Sequence, residues 1–373
     1  MADRNGVPPR PRHVTTGANQ VGWRRDLYEG LRPLLFAADS EWIHGVTVTA
    51  LRKAAEGSYG RGLLSHLASD GPAGSWAASR PVEHMGLRFR NPVGLAAGMD
   101  KNGEAVVGWG ALGFGFAEVG SVTPQAQAGN PRPRLWRLPD DEALVNRMGF
   151  NNDGAAAMVE RLTRARPWLP PDFVVGVSVG RGGATPDRVA EEDYLAALRT
   201  VAPAADYVAV NVSSPNTVGL AELEEPGRLA ALVTKLSEVE PRRPLVVKLS
   251  ADLAEDRLTA VAKALSDSPA AGLVLSNTSR GRAGLRGPLP PGAEQGGLSG
   301  RPLLEGMLAA IGTVRSRTKD RFTLMASGGI FSGADARRAR DAGADLVQLW
   351  TGLVYAGPGL IGEVVEAVTS API

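Results

Sequence analysis

A chain of 373 residues, 43% hydrophobic and 21% charged, is an ordinary globular polypeptide, longer than a typical domain but within reach of one α/β barrel with an extension. Forty-one Lys and Arg against 39 Asp and Glu leave a net charge of +2, which excludes the concentrated basic footprint of a nucleic-acid binder. With no cysteine there is no disulfide, thiolate nucleophile, cysteine-held zinc or iron–sulfur cluster, so a catalytic base must be oxygen or nitrogen.

The first 22 residues contain Pro8-Pro9-Arg10-Pro11-Arg12 and a Thr/Gly/Asn stretch. They hold too few apolar groups to offset the entropy of ordering and read as a flexible tail. They lack the charged-then-apolar pattern of a secretory signal, and no apolar run in the chain approaches the roughly 18 residues that span a bilayer. The expectation is a protein neither secreted nor transmembrane.

Residues 23–68 read as an amphipathic helical extension. Leu27, Leu31, Leu34 and Leu35 recur at helical spacing, as do Trp42, Ile43, Val46, Ala50 and Leu51, which predicts two short helices between Asp26 and about Glu56. They separate near Ala38-Asp39. Asp39 or Ser40 can cap the second helix, but Trp42 or Ile43 stands where a full capping box has Glu or Gln. Such apolar faces pack on a barrel or lie at a membrane surface, and Trp23, Tyr28, Trp42, Arg24, Arg25 and Arg32 are of the kinds found at a headgroup boundary. Composition alone does not choose.

Residues 69–373 begin with a Gly/Ser/Pro linker around Ser69 to Pro81 and then alternate short apolar runs with helical periodicity. Strands are predicted at Val93 to Ala97, Phe116 to Ser121, Val174 to Gly180, Tyr207 to Ser213, Leu245 to Ser250, Gly272 to Asn277, Phe322 to Gly328 and Leu346 to Thr351. Helices are predicted between most of them, including Ala190 to Val201, Arg228 to Glu240, Arg257 to Ser266, Pro302 to Arg315, Gly333 to Ala342 and Leu360 to Val368. This pattern favours a closed (β/α)₈ TIM barrel over an open sheet. The connection at 122–173 is long and should carry an insertion near the site.

In such a barrel the chemistry sits where strands end. Ala97-Gly98-Met99-Asp100-Lys101 follows the first strand, and Asn211-Val212-Ser213-Ser214-Pro215-Asn216-Thr217 the fourth. Lys248 lies in the fifth, and Ser276-Asn277-Thr278 ends the sixth. Gly296-Gly297-Leu298-Ser299-Gly300, Ser327-Gly328-Gly329 and Trp350-Thr351-Gly352 are glycine-containing turns that let backbone N–H groups approach an anion, which indicates a phosphate-bearing ligand. Asn146, Asn211, Asn216 and Asn277 each offer a donor and an acceptor, suiting a flat ring that alternates N–H and C=O. A lysine inside a strand, as at Lys248, needs an anionic partner, either a ligand or an Asp or Glu within the barrel. Ser214 could act as a base only in a closed, dry site that relays its proton away.

Several segments carry a family resemblance: NPVGLAAGMDKNG from Asn91, EVGSVTP from Glu118, GNPRPRLWRL from Gly129, NRMGFNN from Asn146, NVSSPNT from Asn211, GGLSGRPL from Gly296 and GPGL from Gly357. Together they resemble the dihydroorotate dehydrogenases of the membrane-associated, quinone-reducing class, from about Leu27 to Val368. The resemblance implies FMN as cofactor, bound by Ala97, Gly98, Lys101, Ser121, Ser178, Asn211, Lys248, Ser276 and Trp350, with its phosphate at Gly300, Gly328, Gly329 and Thr351. It implies dihydroorotate held by Lys101, Asn146, Asn211, Asn216, Asn277 and Thr278, with the backbone of Arg147, Met148, Gly149 and Phe150 beside it. Ser214 would take the C5 proton. A quinone would enter between the N-terminal helices beside His44 and Arg137, with the protein peripheral to the cytoplasmic side of the cell membrane. No metal is implied. Ser178 stands where the family usually has Asn, Arg181-Gly182-Gly183 replaces a more basic run, Trp350 replaces Tyr, and Ala326-Ser327 replaces a Gly-containing pair. These departures leave open a paralogous FMN oxidoreductase acting on another cyclic amide or related ring.

Overall fold

The computed structural model describes residues 22–68, 80–213 and 223–370, with side chains from Arg24 onward. The predicted tail therefore lies almost wholly outside the described residues, as do most of the linker and the segment from Ser214 to Thr217.

In chain order the strands are β1 (Val82–His84), β2 (Leu87–Phe89), β3 (Val93–Leu95), β4 (Phe116–Val122), β5 (Leu135–Leu138), β6 (Ala143–Asn146) and β7 (Val174–Val179). There follow β8 (Tyr207–Asn211), β9 (Leu245–Leu249), β10 (Ala270–Leu275), β11 (Gly297–Gly300), β12 (Thr323–Ser327) and β13 (Leu346–Leu349). A closed parallel barrel is formed by β3, β4, β7, β8, β9, β10, β12 and β13, each beside the next in sequence, with β13 pairing back to β3. These are the eight predicted strands. Most stop a residue or two earlier than expected, because residues such as Val212 and Ser213 have left the ladder to build the loops above it.

The barrel strands carry almost unbroken apolar runs because each lies between two apolar layers. Outside, helices such as Ala190–Val201, Pro226–Val239, Glu255–Ser266 and Leu304–Thr318 bury Leu198, Leu232, Val261 and Ile311 against them. Inside, the N-terminal end is plugged by Phe89, Phe116, Val174, Tyr207, Val246, Val274, Met325 and Leu346. Phe89 meets Phe116 edge to face at 5.4 Å. Small residues oppose large ones in this layer: a Cβ at Gly94 would lie 2.3 Å from the Phe116 ring, and one at Gly176 2.1 Å from that of Tyr207.

The long connection after β4 holds the expected insertion. Its strands β5 and β6 join β11 in a three-stranded antiparallel sheet beside the barrel mouth.

The N-terminal extension is three helices, not two: α1 (Gly22–Ala37), α2 (Ser40–Ala55) and α3 (Ser58–Ala68). Asp39 caps α2, its Oδ1 accepting from the amides of Glu41 at 3.1 Å and Trp42 at 2.8 Å. Helix α3 forms because Leu64 and Ala68 are buried against the barrel. Helix α1 docks through Tyr28, whose hydroxyl donates to the Val354 carbonyl at 2.7 Å, and Arg32, which donates to the Tyr355 carbonyl at 2.9 Å. Helix α2 buries Val48, Leu51 and Ala55. The other faces of α1 and α2 leave Leu27, Leu31, Leu34, Trp42 and Val46 exposed, Leu34 by 74%. No helix among the described residues is long and apolar enough to cross a membrane.

Candidate functional site

The C-terminal ends of the barrel strands open into a cavity of about 1260 Å³, counting its mouth. Its floor is polar because the inward-facing residues change character along the barrel, from the apolar plug to a layer containing Glu118, Lys248 and Gln348.

Lys248 lies on this floor, 5% exposed, with its Nζ 3.8 Å from Oε1 of Glu118. The expectation of an anionic partner is thus met in part by the protein itself. Burial pushes the Lys248 ammonium down from its usual range, and Glu118 opposes that. Beside it the Ser121 and Ser178 hydroxyls lie 2.6 Å apart, Asn211 donates from Nδ2 to Ser121 Oγ at 2.8 Å, and Asn277 donates to Asn211 Oδ1 at 3.2 Å and Ser213 Oγ at 3.0 Å. Ser213 in turn donates to the Lys248 carbonyl at 2.7 Å. Two asparagines, three serines and a lysine from five strands or strand ends are thereby locked into one network.

Lys101 comes from a loop that Asp100 holds rigid. The buried Asp100 carboxylate accepts from the amides of Glu104 and Ala105, both at 2.8 Å, and from Trp109 Nε1 at 3.2 Å. Burial pushes the Lys101 ammonium down to about 8, with Glu41 of α2 pulling the other way. Glu41 is itself clamped by Arg134, through bonds of 2.6 and 3.0 Å, and by Arg132 at 3.1 Å, which fastens α2 to the insertion. Burial pushes its carboxyl up, but the two arginines together outweigh that and hold it below the usual range.

The segment from Arg147 to Phe150 is pinned along its backbone. Asn130 Nδ2 donates to the Arg147 carbonyl, the Asn130 amide donates to the Met148 carbonyl, and Gln127 Nε2 donates to the carbonyls of Gly149 and Phe150. Met148, Gly149 and Phe150 face the cavity with Asn146, Asn211, Asn277 and Thr278.

At the far side lie Ser299, Gly300, Ser327, Gly328, Gly329 and Thr351, with Ser299 Oγ 2.9 Å from Thr351 Oγ1. Gly300 and Gly329 need to be glycine: φ is +107° and +75°, and a Cβ would fall 2.4 Å from the Glu142 carbonyl oxygen or the Leu304 amide nitrogen. Hydroxyls and glycine backbone bordering one lobe suit a phosphate, and the lysine, amide and hydroxyl floor suits the polar edge of a flat heterocycle. The donor set therefore fits a phosphorylated flavin. No group of three or more His, Cys, Asp or Glu able to hold a metal occurs among the described residues.

Of the residues predicted for the site, Ala97, Gly98, Lys101, Ser121, Asn146, Asn211, Lys248, Ser276, Asn277, Thr278, Gly300, Gly328, Gly329, Trp350 and Thr351 line one cavity. Three do not. Ser178 is fully buried beneath Ser121, so it reaches the cavity only through that hydroxyl. Arg147 turns outward over the Trp136 ring and bonds the Pro133 carbonyl. Arg137 donates to the carbonyls of Phe36 and Ala38, closing the C-terminal end of α1. Ser214 and Asn216 lie outside the described residues. His44 borders the cavity from α2, its ring parallel to that of Trp350 within 5° at 6.0 Å. Burial and Lys101 push its imidazole down to about 3.

Glu41, Glu118, Gln348 and Arg134 were given no role by sequence reasoning. For Glu118 and Gln348 the signal was available: each is a polar residue inside an apolar strand, as Lys248 is.

The model of the dihydroorotate dehydrogenase family matches residues 81–371. A Flavobacterium lutescens protein described as dihydroorotate dehydrogenase (quinone) is 43% identical over 350 residues, which cover 92% of this chain and 96% of that protein. One of the same description from Bordetella pertussis is 44% identical over 349 residues, covering 91% and 97%. The crystal structure of DHODH from Eimeria tenella in complex with ferulenol superposes with a TM-score of 0.80 at 33% identity, covering 91% of this chain and 93% of that one.

Proposed function

The chain belongs to the dihydroorotate dehydrogenase family, and from that premise we infer that it oxidises dihydroorotate to orotate and passes the electrons to a quinone. A flavin cofactor goes with the family. In finer detail we propose FMN, held by Ala97, Gly98, Ser121, Asn211, Lys248 and Ser276 at its ring, with its phosphate at Gly300, Gly328, Gly329 and Thr351. The observation that carries this reading is the meeting of Lys248, Lys101 and the Asn211–Asn277 network with a glycine-bordered lobe in a single cavity.

When bound, the flavin supplies the acceptor for hydride from C6 of the substrate and the route for electrons to the quinone. The residues do the rest. The Lys101 ammonium pairs with the substrate carboxylate, and Asn146, Asn211, Asn277 and Thr278, with Asn216, hold the ring amides so that C5 faces Ser214. Ser214 takes the C5 proton; a serine can do so only where water is excluded and its own proton is passed on. The backbone pinned by Gln127 and Asn130 keeps Met148 to Phe150 as a fixed wall. His44, neutral across the physiological range, offers a hydrogen bond to a quinone head beside Trp350. The exposed apolar faces of α1 and α2 suit a membrane surface from which a quinone would arrive.

The test is anaerobic mixing. The purified protein should be yellow, and dihydroorotate should bleach the flavin band; an unchanged spectrum would overturn the reading. Ser214→Ala should bind flavin normally and slow the bleaching by orders of magnitude. The alternative, another cyclic amide as substrate, rests on Trp350, which lines the cavity, and on Ser178, whose hydroxyl meets Ser121 at 2.6 Å; rapid bleaching by such a compound with sluggish bleaching by dihydroorotate would favour it.

A further inference from the structure

Glu118 sits in the middle of β4, wholly buried, in a strand that is otherwise apolar or small. Its two oxygens are treated differently. Oε2 accepts from the Tyr207 hydroxyl at 3.2 Å and from Gln348 Nε2 at 3.0 Å, whereas Oε1 has no hydrogen bond and points toward Lys248 Nζ at 3.8 Å. Among the described residues the Lys248 ammonium has no hydrogen-bond acceptor, so its N–H groups are left for whatever occupies the cavity above.

We propose that Glu118 is a positioning residue for Lys248: its carboxylate keeps the ammonium charged and in place at the ring edge of the flavin, and so raises that flavin's reduction potential. The inference rests on the flavin reading given above. A lone ammonium on a dry barrel floor is costly and sheds its proton, whereas an ammonium and a carboxylate buried together are neutral overall. Tyr207 and Gln348 serve the same end. By holding Oε2 they turn Oε1 to the lysine, and burial beside Glu118 pushes the Tyr207 hydroxyl up, so it stays a donor. The separation of 3.8 Å matters as well. It is close enough for strong attraction and too long for a hydrogen bond that would consume the ammonium's donors. When the ring takes up electrons, the cation that favours the added charge is already present.

The measurement is the flavin midpoint potential of purified holoprotein, by equilibration with a reference dye, in the unaltered chain, Glu118→Gln, Lys248→Met and the double variant. Without the carboxylate, Lys248 loses its charge. The equilibrium constant for reduction should then fall at least tenfold, about 30 mV for a two-electron couple, in the same direction as for Lys248→Met. In the Lys248→Met background Glu118→Gln should add nothing, because Glu118 acts through the lysine. An unchanged or higher potential in Glu118→Gln, or an equal fall in both backgrounds, would overturn the proposal. If Glu118→Gln yields no folded holoprotein, Tyr207→Phe decides, since it removes one donor to the carboxylate and keeps the ring. A smaller fall that vanishes in the Lys248→Met background supports the proposal, and no fall overturns it. An unaltered chain without flavin would defeat the flavin reading itself; a loaded one with an indifferent Glu118→Gln defeats only this inference.

Discussion

Lys101 shows how a residue's chemistry depends on what surrounds it. Half-buried in the cavity wall beside Asp100, it is pushed down from 10.5 to about 8 by burial, with Glu41 opposing. The folded chain therefore binds fewer protons at this group than the unfolded chain between about 8 and 10.5, and in that window its stability rises with pH. Ligand binding runs the other way, because only the ammonium pairs with a carboxylate. Affinity for orotate should hold steady below about pH 7 and weaken by about tenfold per pH unit above about pH 8. Titrating the flavin absorbance with orotate across this range checks it, and Lys101→Met should bind weakly with no such dependence; a wild-type affinity flat to about pH 10 would rule it out. Lys101, Lys248, Asn211 and Asn277 were legible in the sequence, because polar residues at the ends of apolar runs fall at the mouth of a barrel. Glu118 and Gln348 were just as unusual in their strands, but their meaning appears only when β4, β8, β9 and β13 bring them together with Tyr207 and Lys248.

At the scale of elements, the N-terminal helices pose the sharpest question. Their apolar periodicity was plain in the sequence, yet that pattern cannot tell a face packed on a barrel from a face left for a membrane. The structure divides it: Val48, Leu51 and Ala55 are buried, whereas Leu27, Leu31 and Leu34 of α1 and Trp42 and Val46 of α2 are exposed. If the exposed face meets lipid, each leucine contributes roughly 1.5–3 kcal/mol. Leu31→Glu combined with Leu34→Glu should then weaken vesicle binding by at least about a hundredfold in co-sedimentation and slow quinone reduction, while dihydroorotate still bleaches the flavin at the original rate. Equal vesicle binding by the double variant would show that this face serves another purpose. Helix α3 went unpredicted because its short stretch holds only a few apolar residues, and Leu64 and Ala68 gain their role from the barrel surface they touch. Arg137 shows the same limit, since a cation matched to a quinone position turns out to close the end of α1.

Over the whole molecule, the barrel is held by interdigitated layers, and its floor stands on the apolar plug below. Phe116, fully buried between Phe89 and Gly94, is central to that plug. Phe116→Ala should cost about 3–5 kcal/mol. Denaturant unfolding should show it as a lower midpoint with an unchanged slope, and a loss under about 1 kcal/mol would mean that the plug collapses to fill the gap. The order of the eight strands followed from the sequence alone, since alternating apolar runs and helical periods over this length close in only one common way, with each strand beside its successor. So did the residue types at the strand ends and the resemblance they carry. Tertiary structure alone decided which of those residues share a cavity, which helix faces stay bare, and that the buried lysine has a carboxylate partner 3.8 Å away on a strand 130 positions earlier. The physical reason is that periodicity reports only the local choice between burial and exposure, whereas a pairing between β4 and β9 depends on barrel closure, which no single segment encodes.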